Sequence, residues 1–487
     1  MGLDRDWKLI VAGDAIAGAA GGYEVINPAT EAIVGVAPEA SAGQAEDAAR
    51  AAAEAFETWS RTTPETRAGL LDAAAGLVEA HTDELIELAQ AETGATLKIT
   101  STIQVPHTVA RLRRYAKGAL EPTVTALAPS ISPASSIAPA GVTNALAQRL
   151  PVGVVACVTS YNFPLVNMAG KIGPALAMGN TVVVKPAPQD PLAVIRLVEL
   201  LHEAGFPPGV VNVVNAQDVA PARALTESSD IDMVSFTGST AVGEQIATAA
   251  GRDMKRLLLE LGGKGACIVF DDADLGAAIP GIASVWGFHS GQICTAPTRV
   301  LVSRKIHDQL LESLTGVAEY LTVGDPLDDA THVGPLITAD HRERVEGHVA
   351  AGVAEGGEIA AGGGRPDFET GFFVNPTLVA ACTNDMQIAR EEVFGPVVVV
   401  VPFDDDDEAI ALANDSDYGL YDYVYTQDTP KALEVAGRLR AGNVGINTLA
   451  RNPETPFGGF KRSGIGRDGG SYGLQAYSEL QSVVWPG

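Results

Sequence analysis

From Pro151 to Ala250, apolar runs of strand length alternate with amphipathic segments of helix length. Val152–Val158 reads as a buried strand, Leu165–Met178 as a helix, Thr181–Lys185 as a strand and Leu192–Ala204 as a helix. Val210–Val214 and Ile231–Phe236 are further strands, and a helix follows near Ala241–Ala250. Strands that alternate with crossover helices build a parallel sheet with both faces covered. A second α/β series runs from about Cys267 to Gly445, so the fold class is α/β.

What precedes the alternation is different. Ala42–Gly118 reads mostly as helix, with Ser41 as N-cap and Ala45, Ala48, Ala52 and Phe56 on one face. A second helix is expected over about Pro64–Thr93, with Leu70, Leu77, His81, Leu85 and Leu88 available to pack. A third is expected over about Leu97–Lys117, bent where Pro106 removes a donor. Residues 122–150 are rich in Pro, Ser, Ala and Thr and nearly free of charge. They suit either a flexible linker or an extended arm that pairs with another subunit. At roughly 150 residues per domain, 487 residues make about three units.

The charge balance narrows the partners. With 33 basic and 60 acidic residues the net charge is −27, which opposes nonspecific binding to nucleic acid or an anionic membrane. Runs such as Val397–Val401 are far shorter than the roughly 18 residues of a membrane span. The start, Met1–Lys8, has no apolar stretch of the kind a leader peptide carries. Four cysteines without a CxxC pair argue against a disulfide scaffold or zinc knuckle and point to a reducing cytoplasm.

Several motifs fail on context. Gly464-Ile-Gly466-Arg-Asp-Gly469 matches GxGxxG, but the chain ends too soon for a βαβ unit, leaving a glycine-rich turn. Gly238-Ser-Thr-Ala-Val-Gly243 outlines a phosphate loop, but Glu244 stands where its lysine is required. His341 and His348 read as two surface residues of one helix rather than a metal pair. Asp404–Glu408 reads as a solvated loop.

The cysteines separate by surroundings. Cys157 and Cys267 sit in apolar strands, where a thiol is a small hydrophobe, and Cys382 sits in a loop without an evident activator. Cys294 stands in Ser290-Gly-Gln-Ile-Cys-Thr, a flexible polar turn whose glycine lets a ligand approach the backbone. Glu260 follows three leucines and precedes two glycines. Poor solvation would raise its pKa toward that of a general base, the alternative being a strand-end acid in water. Asn162 follows the first strand of the parallel series, where an amide either donates to an oxyanion or closes an Asx-turn. Lys185 ends the next strand, and Gly238-Ser239 opens a helix whose free N–H groups suit a phosphate.

Together these segments resemble the aldehyde dehydrogenase superfamily, over essentially the full length. The likeness rests on Val154–Pro164, Gly179–Pro186, Phe236-Thr-Gly-Ser, Leu259-Glu-Leu-Gly-Gly-Lys, Gly291-Gln-Ile-Cys, Glu391-Glu-Val-Phe-Gly-Pro and Pro456-Phe-Gly-Gly-Phe-Lys-Arg-Ser-Gly. It implies two Rossmann-like parallel-sheet domains plus a small β oligomerisation arm. An NAD(P)-binding domain would span 1–121 and 151–260, and a catalytic domain 261–445. The arm and C-terminal segment would span 122–150 and 470–487, and a substrate-mouth loop with its glycine-rich turn 446–469. The arm reading then displaces the linker, and a homodimer or homotetramer in the cytoplasm is expected.

The resemblance also implies roles. Cys294 would attack an aldehyde, Asn162 and the Cys294 N–H would hold the oxyanion, and Glu260 would activate the water that hydrolyses the thioester. Lys171 matches a lysine of a proton relay whose late acid is here Ser471. The cofactor would be NAD or NADP, with Ser239 at the pyrophosphate, Lys185 at the adenine ribose, and Glu392 with Phe394 at the nicotinamide ribose. Thr159, Ser160, Gly238, Gly243 and Leu261 would complete its site. Pro188 stands where many NAD-preferring relatives have a ribose-binding glutamate, which admits NADP. Phe163, Gly170, Arg451 and Phe457 would line the aldehyde tunnel. Gly170 would widen it, and Arg451 would select a distal carboxylate or simply pair with Glu454. A coenzyme A-acylating enzyme and a silent structural relative are the other classes the resemblance admits.

Overall fold

The computed structural model describes residues 5–487, so the reading of Met1–Lys8 falls partly on Met1–Asp4, outside the described residues. The larger sheet has eight strands. Its order is Gly464–Ile465, Arg256–Glu260, Met233–Thr237, Val154–Val158, Thr181–Lys185, Val211–Val213, Leu9–Val11 and Asp14–Ile16. The five central strands are parallel, and the edges are antiparallel. Val182, Val183 and Val184 are wholly buried because helices cover both faces, which is why the run reads as continuous apolar sequence. From Val154–Val158 the chain first adds strands on one side, then returns to add Met233–Thr237 on the other. The gap between these two strands is a topological switch point, the crevice where open α/β sheets bind ligands.

A second sheet of seven strands has the order Glu358–Ala361, Thr377–Ala380, Val397–Phe403, Arg299–Ser303, Ala266–Val269, Tyr421–Tyr425 and Asn443–Ile446. It is parallel except at Glu358–Ala361. Residues 122–150 form strands Val124–Ser132 and Gly141–Pro151, which make a three-stranded sheet with Ser478–Pro486. Its apolar side chains face outward: Ile131 is 85% exposed, Leu480 63% and Val484 60%. Helix Gly470–Ala476 and Tyr477 instead pack into the core of the larger sheet, where Tyr477 is fully buried. Among the described residues no helix is long and apolar enough to cross a membrane.

The N-terminal helices differ from expectation in instructive ways. Ser41 caps helix Ala42–Trp59 in a reciprocal box with Gln44. The expected helix over Pro64–Thr93 is two, Pro64–Ala80 and Thr82–Thr93, broken at His81, whose Nδ1 bonds the Leu77 carbonyl. The first of these buries Arg67, Leu71, Ala74, Ala75 and Val78, while Leu70 and Leu77 are only half-buried. The third helical stretch runs unbroken from Leu97 to Gly118, and its distortion is the π turn Thr100–Gln104 just before Pro106. The acidic run is a helix start rather than a loop. Asp405 caps Asp406–Asn414, whose first-turn acids suit the helix dipole.

Asp190 is fully buried beside Glu92, and among the described residues no other residue partners either carboxylate oxygen. Glu92 accepts the N–H groups of Leu192 and Ala193 (2.6 and 2.8 Å), yet burial pushes its pKa up to about 8. Burial first and the Glu92 charge second raise the Asp190 pKa well above its ordinary value. A carboxyl raised in this way costs no folding energy below its unfolded pKa and progressively more as pH climbs toward its folded one. Asp190→Asn is therefore expected to raise the unfolding midpoint by about 2 °C or more at pH 8 and by less at pH 5. Thermal melts at the two pH values check this, and a gain confined to pH 5 contradicts it.

Candidate active site

The ends of three neighbouring strands converge at the switch point. Val154–Val158 leads into Thr159, Ser160 and Asn162, Met233–Thr237 into Gly238 and Ser239, and Arg256–Glu260 ends on Glu260 itself. A cavity of about 1850 Å³ opens there and extends to the second sheet. It takes in Ser160, Asn162, Phe163, Lys171, Gly238, Ser239, Glu260, Leu261, Cys294, Glu392, Phe394, Arg451 and Phe457. Thr159, Gly170, Lys185, Pro188 and Gly243 are not on its wall.

The segment before Cys294 is not the flexible turn expected from its composition. His289, Ser290 and Gly291 all have left-handed backbones, with φ of 53°, 53° and 74°. Ser290 and Gln292 are buried, Ser290 Oγ donates to the Gly334 carbonyl (2.8 Å), and Gln292 Oε1 accepts the Ile337 N–H (3.1 Å). Gly291 is needed because a Cβ would collide with the Gly395 backbone, so protein rather than ligand makes the close approach. Cys294 is half-buried at the end of this locked loop. Burial pushes its thiol up to about 12. Arg451 is the charge that most opposes this, while Glu392 and Glu260 reinforce it.

Asn162 is tied to the same loop. Its Nδ2 donates to the Gln292 carbonyl (2.9 Å), and its Oδ1 accepts from Ser160 Oγ (2.8 Å) and Asn167 Nδ2 (3.4 Å). One amide hydrogen remains to be offered beside Cys294. Glu260 is buried at 6% exposure, with neither carboxylate oxygen partnered among the described residues. Burial first and Asp468 second hold its pKa well above the ordinary value, against Lys171. A carboxyl held that way without a partner has the properties of a general base facing a cavity.

Lys171 donates to Ser235 Oγ (3.2 Å), which shares a hydrogen bond with Tyr477 Oη (2.7 Å). Burial lowers the Lys171 pKa, and Asp468 is the first charge to oppose that. Ser471 is not at the end of this relay. It faces away, accepting from Arg114 (3.2 Å), and the acid near Glu260 and Lys171 is Asp468. Asp468, three residues before Ser471, is the acid whose charge acts on both Lys171 and Glu260.

Toward the other end, Ser239 caps helix Thr240–Ala250 by accepting the Val242 N–H (3.4 Å), and that helix start opens onto the cavity. Gly243 packs under Leu261, where a Cβ would clash. Glu392 Oε1 accepts the Gly263 N–H (2.9 Å), and burial pushes its pKa up to about 7. Phe394 is left-handed (φ 56°), its carbonyl bonded to His341 Nε2 (2.8 Å). His341 is buried, not a surface residue, and Arg344 donates to its Nδ1 (3.1 Å), which assigns the ring proton to Nε2. Among the described residues no cluster could hold a metal ion. Lys185 is buried, donates to the Pro186 and Ala216 carbonyls, and is lowered by burial to about 8. Thr159 N donates to the Lys185 carbonyl (3.3 Å), and its Oγ1 is buried without a partner among the described residues. The Pro188 carbonyl accepts from Tyr23 (2.8 Å).

At the mouth, Phe163 packs on Phe288 and His289. Arg451 bonds Thr295 Oγ1 and lies over the rings of Tyr421 (5.3 Å) and Phe457 (5.1 Å). It is not paired with Glu454, which is taken by Arg114.

The family model described as "Aldehyde dehydrogenase family" matches residues 16–483. The chain belongs to the aldehyde dehydrogenase family. It is 37% identical over 480 residues to "Putative aldehyde dehydrogenase DhaS" of Bacillus subtilis, covering 98% of this chain and 95% of that one. It is 38% identical over 467 residues to a Bacillus subtilis "Betaine aldehyde dehydrogenase", covering 94% and 93%. Among solved structures, betaine aldehyde dehydrogenase from Staphylococcus aureus in complex with NAD+ superposes with a TM-score of 0.94 at 35% identity, covering 98% and 95%. The NAD+ complex of aldehyde dehydrogenase from Bacillus cereus gives 0.92 at 38%, covering 99% and 97%.

In this aldehyde dehydrogenase, sequence reasoning passed over Asp468, whose charge acts on Glu260 and Lys171. Asp468 sits in the glycine-rich turn, whose Gly464–Ile465 adds an edge strand beside Leu259 and Glu260. An acid brought there by pairing has no local sequence signal. Because the Asp468 charge helps raise Glu260, Asp468→Asn is expected to let the Glu260 pKa fall. The acid limb of the kcat profile should then move to lower pH. A limb that stays or moves upward contradicts the assignment.

Proposed function

We propose that the chain oxidises an aldehyde to the carboxylic acid with NAD or NADP, through a Cys294 thioester that Glu260 hydrolyses. The observation that carries this reading is the convergence, in one cavity, of Cys294, an unpartnered buried Glu260 and the Asn162 amide. The helix start at Ser239 and the Glu392 carboxylate lie on the same wall. Those last two fit a dinucleotide: free N–H groups suit a pyrophosphate, and a carboxylate with one oxygen uncommitted suits ribose hydroxyls. Phe394, Leu261, Gly238 and Gly243 would shape that groove, with Lys185 and Thr159 backing its adenine end. When bound, the nicotinamide supplies the hydride acceptor.

Cys294 must lose its proton before attack, and Glu260 is the base in reach of the same cavity. The oxyanion of the adduct would be held by Asn162 Nδ2 and the Cys294 N–H. Glu260, recharged through Lys171 and Asp468, would then take a proton from the water that attacks the thioester. In this reading 1–121 and 151–260 hold the cofactor, 261–445 carry the nucleophile, and 446–469 form the mouth. The small sheet, 122–150 with 470–487, would join copies into a homodimer or homotetramer, which its exposed apolar strands support. We assign the protein to the cytoplasm.

An assay of reduced nicotinamide and of product, with and without coenzyme A, tests the reading. It expects free acid in both cases. An acyl-coenzyme A product points to the acylating class, and no reduction of either cofactor points to a silent relative. At position 188 proline replaces an acid that would repel a 2′-phosphate by about 4 kcal/mol at 4 Å and an effective dielectric of 20. Glu39 also acts on Lys185, but its carboxylate is occupied by the Gln217 and Asp218 N–H groups. NADP is therefore expected to support turnover. A kcat/KM preference for NAD of about a thousandfold or more, equivalent to that same repulsion, contradicts it.

A further inference from the structure

Gly170 does not widen the tunnel, because a guanidinium occupies the volume that its side chain would take. A Cβ at 170 would collide with Arg111 Nη1 and lie 3.4 Å from Asp468 Oδ2, so the guanidinium and the carboxylate face each other across this residue. Gly173, one turn later on the same helix, admits a second side chain in the same way, since a Cβ there would lie 2.8 Å from the Tyr115 ring. Arg111 and Tyr115 are themselves one turn apart on helix Val105–Gly118. Two glycines thus let two side chains through to one acid. Arg111 Nη1 donates to the Val166 carbonyl (3.0 Å), one turn before Gly170. Tyr115 Oη donates to Asp468 Oδ1 (3.4 Å), which also accepts the Gly469 N–H (2.7 Å). That leaves Oδ2 on the side of Gly170 and Arg111.

The charged groups that act on Glu260 come from three elements. They are Lys171 from helix Pro164–Ala177, Arg111 from Val105–Gly118, and Asp468 with Arg467 from the glycine-rich turn. Arg467 is held by the Gly459 and Gly466 carbonyls (3.2 and 2.5 Å). After burial, which dominates both groups, Asp468 pushes Glu260 and Lys171 up and Arg111 pushes both down. We propose that Arg111 is a positioning residue for the general base: threaded past Gly170, its guanidinium faces Asp468 and offsets that carboxylate's charge on Glu260 and Lys171. The glycine belongs to this device, because a side chain at 170 would displace the guanidinium. Without the offset, Glu260 would stay protonated to higher pH and the thioester would wait for its base. This rests on the reading of Glu260 as the group that hydrolyses the Cys294 thioester.

The test follows the acid limb of kcat for propanal against pH. Beside it runs the infrared band of the protonated Glu260 carboxyl, taken as the difference from Glu260→Gln, which needs no turnover. In Arg111→Met both should move to higher pH, by about half a unit or more. Arg111→Lys, which keeps the charge, should hold both near the wild-type position. Gly170→Ala, whose Cβ pushes the guanidinium aside, should move them as far as Arg111→Met, and the double variant no further. Should Arg111→Met fail to fold, Gly170→Ala carries the same test. An unchanged band in Arg111→Met, or one that moves to lower pH, overturns the proposal. Equal moves in Arg111→Met and Arg111→Lys also overturn it, since volume rather than charge would then be at work. A Gly170→Ala band that stays while the Arg111→Met band moves overturns the part given to the glycine. A limb that stays while the band moves overturns Glu260 as the base behind kcat and leaves the action of Arg111 on it standing. If no aldehyde is oxidised, the dehydrogenase reading fails, and the infrared titration alone decides the role of Arg111.

Discussion

Cys294→Ala is expected to lower kcat by about 10⁴-fold or more for every aldehyde while leaving NAD or NADP binding intact. Removing the thiol removes the one cysteine on the cavity wall among the described residues. The other three cysteines are buried, Cys157 in the larger sheet and Cys267 and Cys382 in or beside the second. The alanine fits where the half-buried sulfur sat, so the loop held by Ser290 and Gln292 should stand. Turnover and cofactor titration together check this, and near-normal turnover contradicts the nucleophile assignment.

Glu260→Gln is expected to separate the two half-reactions. The glutamine is isosteric, and because neither Glu260 oxygen has a partner, no hydrogen bond is broken. Steady-state kcat should fall by roughly 10²–10⁴-fold, the usual contribution of a positioned general base. If deacylation is what fails, the first turnover should still release close to one reduced cofactor per site as a burst. A slow first turnover without a burst would instead place Glu260 in the activation of Cys294. The same variant should be no less stable than the wild type above neutral pH, since a carboxyl raised by burial costs most where it is charged.

The parallel core was legible because its strands are buried on both faces and spell themselves out as valine runs, as in Thr181–Lys185. The helix break at His81 was not, since the apolar pattern continues across it and only a local bond marks it. The short strands before Ala40 escaped notice because two of them, Leu9–Val11 and Asp14–Ile16, are defined by pairing at a sheet edge rather than by pattern. In the site, their surroundings made Cys294, Glu260 and Asn162 candidates, the family resemblance gave them roles, and the cavity brings them together. Composition misled where burial decided: the Ser290–Thr295 segment is polar yet locked, and His341 is on a helix yet buried. Asp468 was invisible for a further reason: it reaches Glu260 through the pairing of Gly464–Ile465 with Leu259 and Glu260, a relation that does not exist along the chain.

The claim on which the rest depends is a thioester on Cys294. Quenching Glu260→Gln in acid during the burst, followed by proteolysis and mass spectrometry, tests it directly. The account predicts the acyl mass on the peptide containing Cys294, in near-stoichiometric yield and only when NAD or NADP is present. An acyl group on Cys157, Cys267 or Cys382, or none on any cysteine during a measured burst, would contradict it.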